Sequence, residues 1–173
     1  MKTQDDTRVQ ARSKLVELDD LLAGLAGRRA GGARVVFTNG AFDLLHVGHL
    51  RSLERARAVG DVLVVGLNSD ASVRSGKPPG RPVIPERERA ELIAALACVD
   101  FVVLFDEPTA ERLVRAIRPE IYVKGANYSL DALPEAPIVQ AYGGRVELVP
   151  LEEGRSTSGL IQEIVARFGH RAS

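Results

Sequence analysis

The hydrophobic residues change period along the chain. Near the start, leucines recur at helical spacing, at Leu15, Leu18, Leu21, Leu22 and Leu25. The charged segment 1–12 before them has no such period, and the segment 27–32 after them is rich in glycine. We predict a loose tail, a helix and a loop over residues 1–33.

From residue 34 onward, short apolar runs alternate with helical patterns. Strands are predicted at 34–38, 62–67, 101–104, 121–123 and 146–149, and helices at 48–59, 86–97, 109–117, 134–141 and 156–168. Continuous apolar strands are buried on both faces, and strand-helix alternation is typical of parallel sheets. We predict an α/β fold that is Rossmann-like: a doubly wound parallel five-stranded sheet with helices on both faces, forming a single domain over 34–170.

Composition limits the kinds of partner. The 173 residues carry 23 Lys plus Arg and 23 Asp plus Glu, a formal net charge of zero, so we expect no binding to nucleic acid or membrane.

No apolar run approaches the roughly 18 to 20 residues that cross a bilayer, and segment 1–12 lacks a signal-peptide core. The single Cys98 lies in an apolar run, which indicates a buried thiol and a reducing compartment. We predict a cytoplasmic location.

The first chemical motif is His46-Val47-Gly48-His49, at a helix start directly after the first predicted strand. A helix start offers free N–H groups to an anion, and histidines three residues apart share one face. Gly48 would let a phosphate approach the backbone. We predict that both histidines donate hydrogen bonds to phosphate oxygens. Structural histidines are the alternative, and zinc is less favoured because only Asp43 is near as a further ligand.

A second motif, Gly-Arg-Ser-Thr-Ser at 154–158, precedes the last predicted helix. Hydroxyls at a helix start usually cap it. Here the helix follows the last strand of a parallel sheet, so its start should lie on the same edge as the histidines, with Arg155 as an anion clamp. We predict a second phosphate-binding element.

Other cations are weaker candidates. Lys124 ends the fourth predicted strand and should reach the same edge. The segment 69–82 is rich in Gly and Pro and carries Lys77 and Arg81, which predicts a cationic mobile loop over the site. Ordinary solvated side chains are the alternative for all of these, and for Arg89 in the following helix.

Missing motifs narrow the chemistry. The sequence has no Gly-x-Gly-x-x-Gly after its first strand, no P-loop and no Gly-x-Ser-x-Gly elbow, which disfavours nicotinamide enzymes, P-loop hydrolases and α/β-hydrolases. The candidate residues are donors and cations, without an evident general base. This suits a phosphomonoester nucleophile, which is already ionised at neutral pH, so that catalysis consists of positioning and charge neutralisation.

Together these motifs resemble the cytidylyltransferase-like nucleotidyltransferase superfamily, and within it the ADP-heptose synthase adenylyltransferases. The resemblance covers residues 35–168 and rests on segments 37–49, 66–73, 81–83, 123–125, 133–135, 142–144 and 154–158. It implies transfer of AMP from ATP to D-glycero-β-D-manno-heptose 1-phosphate, giving ADP-heptose and pyrophosphate. It also implies Mg²⁺ bound through the phosphates without protein ligands, a homodimer, and a sugar kinase that is separate or fused.

The resemblance assigns roles to residues of this chain. It implies four catalytic residues: His46, His49, Lys77 and Lys124. The implied nucleotide-binding residues are Thr38, Asn39, Gly40, Phe42, Gly48, Arg155, Ser156, Thr157 and Ser158. The implied substrate-binding residues are Asp43, Arg89 and Asn127.

Departures from the family pattern leave alternatives open. Ala41 stands where Cys is common, and Asn127 stands where Asp is usual, which leaves the sugar open. Cytidylyltransferases for glycerol phosphate tend to carry Arg-Thr-Glu-Gly-Ile-Ser at 151–156, and this chain does not. A cytidylyltransferase for an alcohol phosphate and a non-catalytic nucleotide sensor remain the alternatives.

Overall fold

The computed structural model describes residues 11–150, 152 and 154–169. Its strands are β1 (Val35–Gly40), β2 (Val62–Asn68), β3 (Phe101–Phe105), β4 (Ile121–Gly125) and β5 (Arg145–Val149). They form one parallel sheet in the order β3-β2-β1-β4-β5. The predicted five-stranded parallel sheet is confirmed. Most of the predicted tail, residues 1–10, lies outside the described residues.

Helices cover both faces of this sheet. They are α1 (Leu18–Ala30), α2 (Val47–Ala58), α3 (Asp70–Gly76), α4 (Glu86–Ala94), α5 (Glu111–Ile117), α6 (Ala136–Ala141) and α7 (Thr157–Phe168), with a 3₁₀ turn at Leu130–Ala132. Side chains alternate along β1, so that Val35 and Phe37 enter one core and Val36 the other. The first core includes α1, α5 and α6, and the second includes α2 and α4. The Rossmann-like, doubly wound arrangement is therefore confirmed.

The amino-terminal helix belongs to the same folded unit as the sheet. Leu21 and Leu25 are completely buried in the first core. Leu15 was predicted in this helix, but it lies before the helix and forms a parallel bridge with Val102. An extended segment there satisfies backbone groups at the β3 edge of the sheet, which a helix could not do.

Two other segments differ from the prediction. The predicted loop 27–32 is helical as far as Ala30, where α1 ends. The first half of the predicted loop 69–82 is α3, whose start is capped by the Ser69 side chain and whose Val73 is buried. Capping and one buried apolar contact outweigh the glycine and proline that follow.

The structure bears on two predictions made from composition, the burial of Cys98 and the absence of a membrane-spanning segment. Cys98 is only partly buried, although it packs against the second core. Within the described part of the chain, no helix has the length and apolar character to cross a membrane.

Candidate active site

A cavity of ≈ 650 Å³ lies at the carboxyl ends of the central strands. The strand order reverses between β1 and β4, and ligands of open parallel sheets bind at such a switch point. Most predicted site residues line it: Thr38, Asn39, Gly40, Phe42, Asp43, His49, Lys77, Lys124, Asn127, Ser156, Thr157 and Ser158. His46, Gly48, Arg89 and Arg155 do not.

The two histidines form a stacked pair at the start of α2. Their ring centroids are 3.8 Å apart, with an angle of 21° between the planes. His46 caps the helix, since its Nδ1 accepts a hydrogen bond from the Gly48 N–H at 3.1 Å. His49 Nδ1 accepts from the His46 N–H at 3.4 Å. A neutral ring whose Nδ1 accepts carries its proton on Nε2, so both Nε2 atoms are donors.

Electrostatics keep both rings neutral. Burial, followed by the neighbouring His46, lowers the pKa of His49 to about 4. Burial and the charge of Arg155 lower the pKa of His46. Among the described residues, His46 Nε2 is one of two buried side-chain polar atoms without a hydrogen-bond partner. A buried donor left unpaired costs about 1 to 3 kcal/mol.

Gly48 lies where two segments of the site pack closely. A Cβ atom at this position would lie 2.9 Å from Nδ1 and Cε1 of His46 and 3.4 Å from Cβ of Arg155. The space that a side chain would fill is therefore occupied by the His46 ring and by the segment before α7. Gly48 allows the histidine turn and that segment to pack closely, and it does not itself line the cavity.

Asp43 connects three parts of the site. Its buried carboxylate accepts hydrogen bonds from Arg81 Nε at 2.6 Å, from Val83 N–H at 2.9 Å and from Ile84 N–H at 2.9 Å. Its carbonyl oxygen accepts from the Thr157 hydroxyl at 2.7 Å. The loop after α3, the loop before the histidines and the start of α7 are thus joined at one residue.

This network also determines the charge of Asp43. Burial alone would raise its pKa, but the N–H groups of Ile84 and Val83 and the Arg81 guanidinium outweigh burial and hold the pKa below its ordinary value. Because its carboxylate already accepts these hydrogen bonds, Asp43 orients the loop that leads to the histidines, and a contact with substrate stays a prediction. Asp43 is a positioning residue.

The backbone on either side of Asp43 is strained. Phe42 has φ 47° and Leu44 has φ 50°, the left-handed region that residues other than glycine rarely adopt. Such residues cost of order 1 to 3 kcal/mol each and persist where surrounding contacts fix them. Asp43, which lies between them, connects this loop to Val83 and Ile84 through hydrogen bonds.

The start of α7 both caps the helix and lines the cavity. Ser156 Oγ accepts a hydrogen bond from the Gly159 N–H at 3.0 Å, while Ser156, Thr157 and Ser158 all face the cavity. Capping and ligand binding, weighed as alternatives in the sequence, are compatible at this position. Arg155 is exposed and lies beside Gly48, outside the cavity lining.

Two lysines bring positive charge to the cavity. Lys124 Nζ donates to the Asn39 carbonyl at 3.0 Å and lies 5.5 Å from the Tyr128 ring centroid. Burial, partly offset by Glu135 and reinforced by Lys77, lowers the pKa of Lys124 to about 8. Lys77 approaches from the segment that follows α3.

Arg89 is neither a surface charge nor a cavity residue. Its side chain is completely buried, and its guanidinium donates to the carbonyls of Ile84, Ala41 and Asn68 and to the Asp70 carboxylate at 2.7 Å. Its donors are engaged in this way, and a contact of Arg89 with substrate stays a prediction. Arg89 holds the loops that flank β1 and β2.

Several lining residues were not among the predicted site residues. Ser52, Tyr128 and Gln162 line the cavity, as does Arg81, which the sequence marked only weakly. Ser52 lies three residues after His49 on α2, and Gln162 lies four residues after Ser158 on α7. Helical spacing from a known site residue would have identified these two. Among the described residues, no cluster of three or more His, Cys, Asp or Glu could hold a metal ion.

Comparison with known proteins agrees with this geometry. A sequence model of the family described as cytidylyltransferase-like matches residues 37–162, which hold the histidine turn and the first turns of α7. The chain belongs to the cytidylyltransferase-like family. Membership confirms the predicted class of enzyme, a nucleotidyltransferase.

Curated relatives are longer than this chain. The protein named bifunctional protein HldE of Geobacter sulfurreducens is 51% identical over 91% of this chain and 32% of its own length. The HldE protein of Citrifermentans bemidjiense is 51% identical over 90% of this chain and 32% of its own length. The chain thus spans about a third of the length of these relatives.

A solved structure is also similar. The lipopolysaccharide core biosynthesis protein from Thermoplasma volcanium is 29% identical, with a TM-score of 0.57. The similarity covers 71% of this chain and 99% of that protein. The comparison supports the same fold for this chain.

Proposed function

We propose that this chain transfers AMP from ATP to D-glycero-β-D-manno-heptose 1-phosphate, giving ADP-heptose and pyrophosphate. The proposal includes a cytoplasmic location and a sugar kinase, separate or fused, that supplies the acceptor. It is supported by relatives named HldE, which are called bifunctional and are about three times as long. A structural relative named for lipopolysaccharide core biosynthesis also supports a sugar-containing acceptor.

One observation supports the reaction type: the described residues that line the cavity offer donors and cations but no carboxylate without hydrogen-bond partners. Asp43 is the only acidic residue among the described residues that line it, and its oxygens are occupied. Both histidines are neutral, with Nδ1 already accepting a hydrogen bond. Such a lining suits a nucleophile that is already ionised, as a phosphomonoester is at neutral pH.

The step then needs no proton transfer. A phosphate oxygen of the sugar phosphate attacks the α-phosphorus of ATP, and a new Pα–O bond forms. The bond from Pα to the oxygen shared with Pβ breaks on the opposite side, and pyrophosphate leaves with that electron pair. The protein contributes alignment and stabilisation of the spreading negative charge.

Each element has a defined part in this step. His46 and His49 would donate from Nε2 to phosphate oxygens, and the start of α7 would hold the triphosphate with its hydroxyls and helix N–H groups. Lys77 and Lys124 would neutralise charge. Mg²⁺, when bound, supplies further charge neutralisation on the phosphates. The scarcity of free carboxylates in the cavity fits a metal that is carried by the nucleotide.

A substrate panel tests this function. The purified chain is incubated with each nucleoside triphosphate, Mg²⁺ and a set of sugar and polyol phosphates, and pyrophosphate release is measured. We expect release with ATP and the heptose 1-phosphate. Preference for CTP with an alcohol phosphate would replace the proposal with the cytidylyltransferase alternative. Tight ATP binding without release from any pair would leave a nucleotide sensor.

Variants of the histidines test the mechanism. His46→Ala and His49→Ala should each lose about 2 to 3 kcal/mol of transition-state stabilisation, comparable to removing one oxyanion donor, so that kcat falls roughly a hundredfold. His49→Asn keeps an N–H donor and should retain more activity than His49→Ala. Equal loss in the two His49 variants, or unchanged turnover in the Ala variants, would contradict hydrogen-bond donation.

A further inference from the structure

A buried carboxylate lies behind the cavity, outside its lining. Glu135 directly precedes α6, is only 3% exposed and does not line the cavity. Its Oε1 accepts a hydrogen bond at 2.8 Å from the N–H of Ala110, the residue before α5. Acidic side chains are rarely buried to this extent unless they are paired. The bond from Ala110 alone leaves the negative charge of Glu135 without a counter-charge.

Other buried charges of the described residues have partners in direct contact. Asp43 forms an ion pair with Arg81 at 2.6 Å, and Arg89 forms one with Asp70 at 2.7 Å. Glu135 differs, because it forms no ion pair with a described residue. A positive charge that compensates Glu135 must therefore act over a longer distance.

The fold places Glu135 on the same face of the sheet as two side chains of β4. Tyr122 and Lys124 are two residues apart on this strand, so they point to one face. Tyr122 belongs to the first core, together with Ala136, the residue that follows Glu135, and with Ala110. Glu135, Tyr122 and Lys124 therefore lie on the side of the sheet that α5 and α6 cover.

Tyr122 connects Glu135 to the cavity. Its hydroxyl donates to Asn39 Oδ1 at 2.8 Å, and Lys124 Nζ donates to the carbonyl of the same asparagine. Burial, followed by the Glu135 carboxylate, raises the pKa of Tyr122 above its ordinary value, so the hydroxyl keeps its proton. With Oδ1 bonded to Tyr122, the NH₂ group of the Asn39 side chain is left as a donor for a ligand.

Lys124 is the cation on which the carboxylate acts. Burial lowers the pKa of Lys124, Glu135 raises it and Lys77 lowers it, so that it lies at about 8. The Tyr128 ring, whose centroid lies 5.5 Å from Nζ, also favours the charged form. Without the carboxylate, no negative charge would oppose burial and Lys77, and Lys124 would lose its proton at a lower pH.

We propose that Glu135 is a positioning residue of the site, which acts as the counter-charge of Lys124 and supports the Tyr122 hydroxyl that holds Asn39. The inference rests on the proposed function, in which Lys124 neutralises phosphate charge. Because Glu135 does not line the cavity, it acts through these three residues and not on the substrate itself. Its charge keeps a cation and an oriented amide in the cavity wall near neutral pH.

Titration of the lysine side chains tests the charge coupling in the chain without ligand. The sequence has four lysines, so NMR of protein labelled with carbon-13 lysine gives few signals, and Lys124→Met identifies that of Lys124. Glu135→Gln removes the charge but keeps an oxygen that can accept from the Ala110 N–H. We expect the pKa of Lys124 to fall by about one pH unit in this variant.

Two further variants complete the titration, and circular dichroism checks their folding. Glu120→Gln, the matched control, removes a carboxylate at the opposite end of β4, where it accepts from the Val35 N–H at 2.8 Å. It should leave the pKa of Lys124 unchanged. Glu135→Ala is a second variant without the charge and should lower that pKa as Glu135→Gln does. An unchanged pKa in the two Glu135 variants, or an equal fall in Glu120→Gln, would overturn the proposal.

The pH profile of ATP binding connects the coupling to function. In the parent, ATP affinity measured by calorimetry should weaken as the pH rises through about 8, the pKa of Lys124. In Glu135→Gln the same loss should begin about one pH unit lower. A purely structural role of Glu135 would weaken binding at every pH without moving the profile. A lowered pKa of Lys124 with an unmoved ATP profile would overturn the positioning role, whereas the substrate panel decides the transferase reaction separately.

A double-variant cycle tests the contact through Asn39. If Tyr122 acts by holding Asn39, Tyr122→Phe and Asn39→Ala should each lower kcat/KM for pyrophosphate release several-fold. The double variant should then be no worse than Asn39→Ala alone, because both changes remove the same interaction. Losses that add in the double variant would overturn the role of Tyr122 in holding Asn39.

Discussion

Asp43→Asn is the most informative single change because it removes one charge from the centre of the site and little volume. The carboxylate accepts hydrogen bonds from three donors, one of them Arg81, whose side chain is 12% exposed. Removing one partner of a buried ion pair typically costs about 3 to 5 kcal/mol. An asparagine oxygen can still accept from one backbone N–H, so we expect a loss near the lower end, about 3 kcal/mol.

The assay is urea unfolding of four proteins: the parent, Asp43→Asn, Arg81→Met and the double variant. Because Asp43 and Arg81 are in direct contact, their coupling energy should be about 1 kcal/mol or more. Asp43→Asn weakens the bonds that connect the loop before the histidines to Val83 and Ile84, so pyrophosphate release should also fall.

The pH dependence supplies a second test of the same residue. The pKa of Asp43 is lowered in the folded chain, so its contribution is present above the unfolded pKa and is lost as pH falls through the folded pKa. Asp43→Asn should therefore lose less stability on acidification than the parent. A stability loss below about 0.5 kcal/mol, or additive behaviour in the double variant, would refute the positioning role.

Three further results follow from the site. The pKa of His49 is about 4 in the folded chain, against an ordinary value of 6.5. The unfolded chain therefore binds a proton more readily than the folded chain, and protonation favours unfolding. The free energy of unfolding should fall by at most about 3 kcal/mol as the pH drops from 6.5 to 4. His49→Gln should flatten that dependence in urea unfolding, and an unchanged slope would contradict it. Gly48→Ala should lose about 1 to 3 kcal/mol because its Cβ meets the His46 ring, and pyrophosphate release should fall too. A Gly48→Ala variant as active and as stable as the parent would mean that the turn has room for a Cβ atom. Because the pKa of Lys124 is about 8, it becomes neutral as pH rises through that value. The affinity of the parent for ATP, measured by calorimetry, should therefore weaken above about pH 8, while that of Lys124→Met should not show this added loss. If the affinity of both proteins depends on pH in the same way, Lys124 does not bind phosphate.

The fold was predictable because its strands are short apolar runs separated by helical patterns, and such patterns depend on local residues. Leu15 was misplaced because its leucine spacing continued that of α1, whereas the β3 edge of the sheet determined its conformation. Helix α3 was missed because one buried side chain, Val73, and a serine cap give little periodic signal.

The site was predictable wherever a motif lay at the carboxyl end of a strand. His49, Lys124 and the start of α7 meet at one cavity because parallel strands all end at the same edge. The hydrogen-bond partners of Arg89 and Asp43 were not predictable, since they are carbonyls and N–H groups distant in sequence. A charged residue looks the same in sequence whether it binds a ligand or holds loops in place.

The route of the phosphate oxygen tests the central claim most directly. The acceptor is heptose 1-phosphate labelled with oxygen-18 in its non-bridging phosphate oxygens, and the products are examined by phosphorus NMR. If the acceptor oxygen attacks the α-phosphorus, the label appears in the new bridge, both phosphorus signals of ADP-heptose shift, and pyrophosphate is unlabelled. Label in pyrophosphate, an unlabelled bridge, or no ADP-heptose would contradict the account.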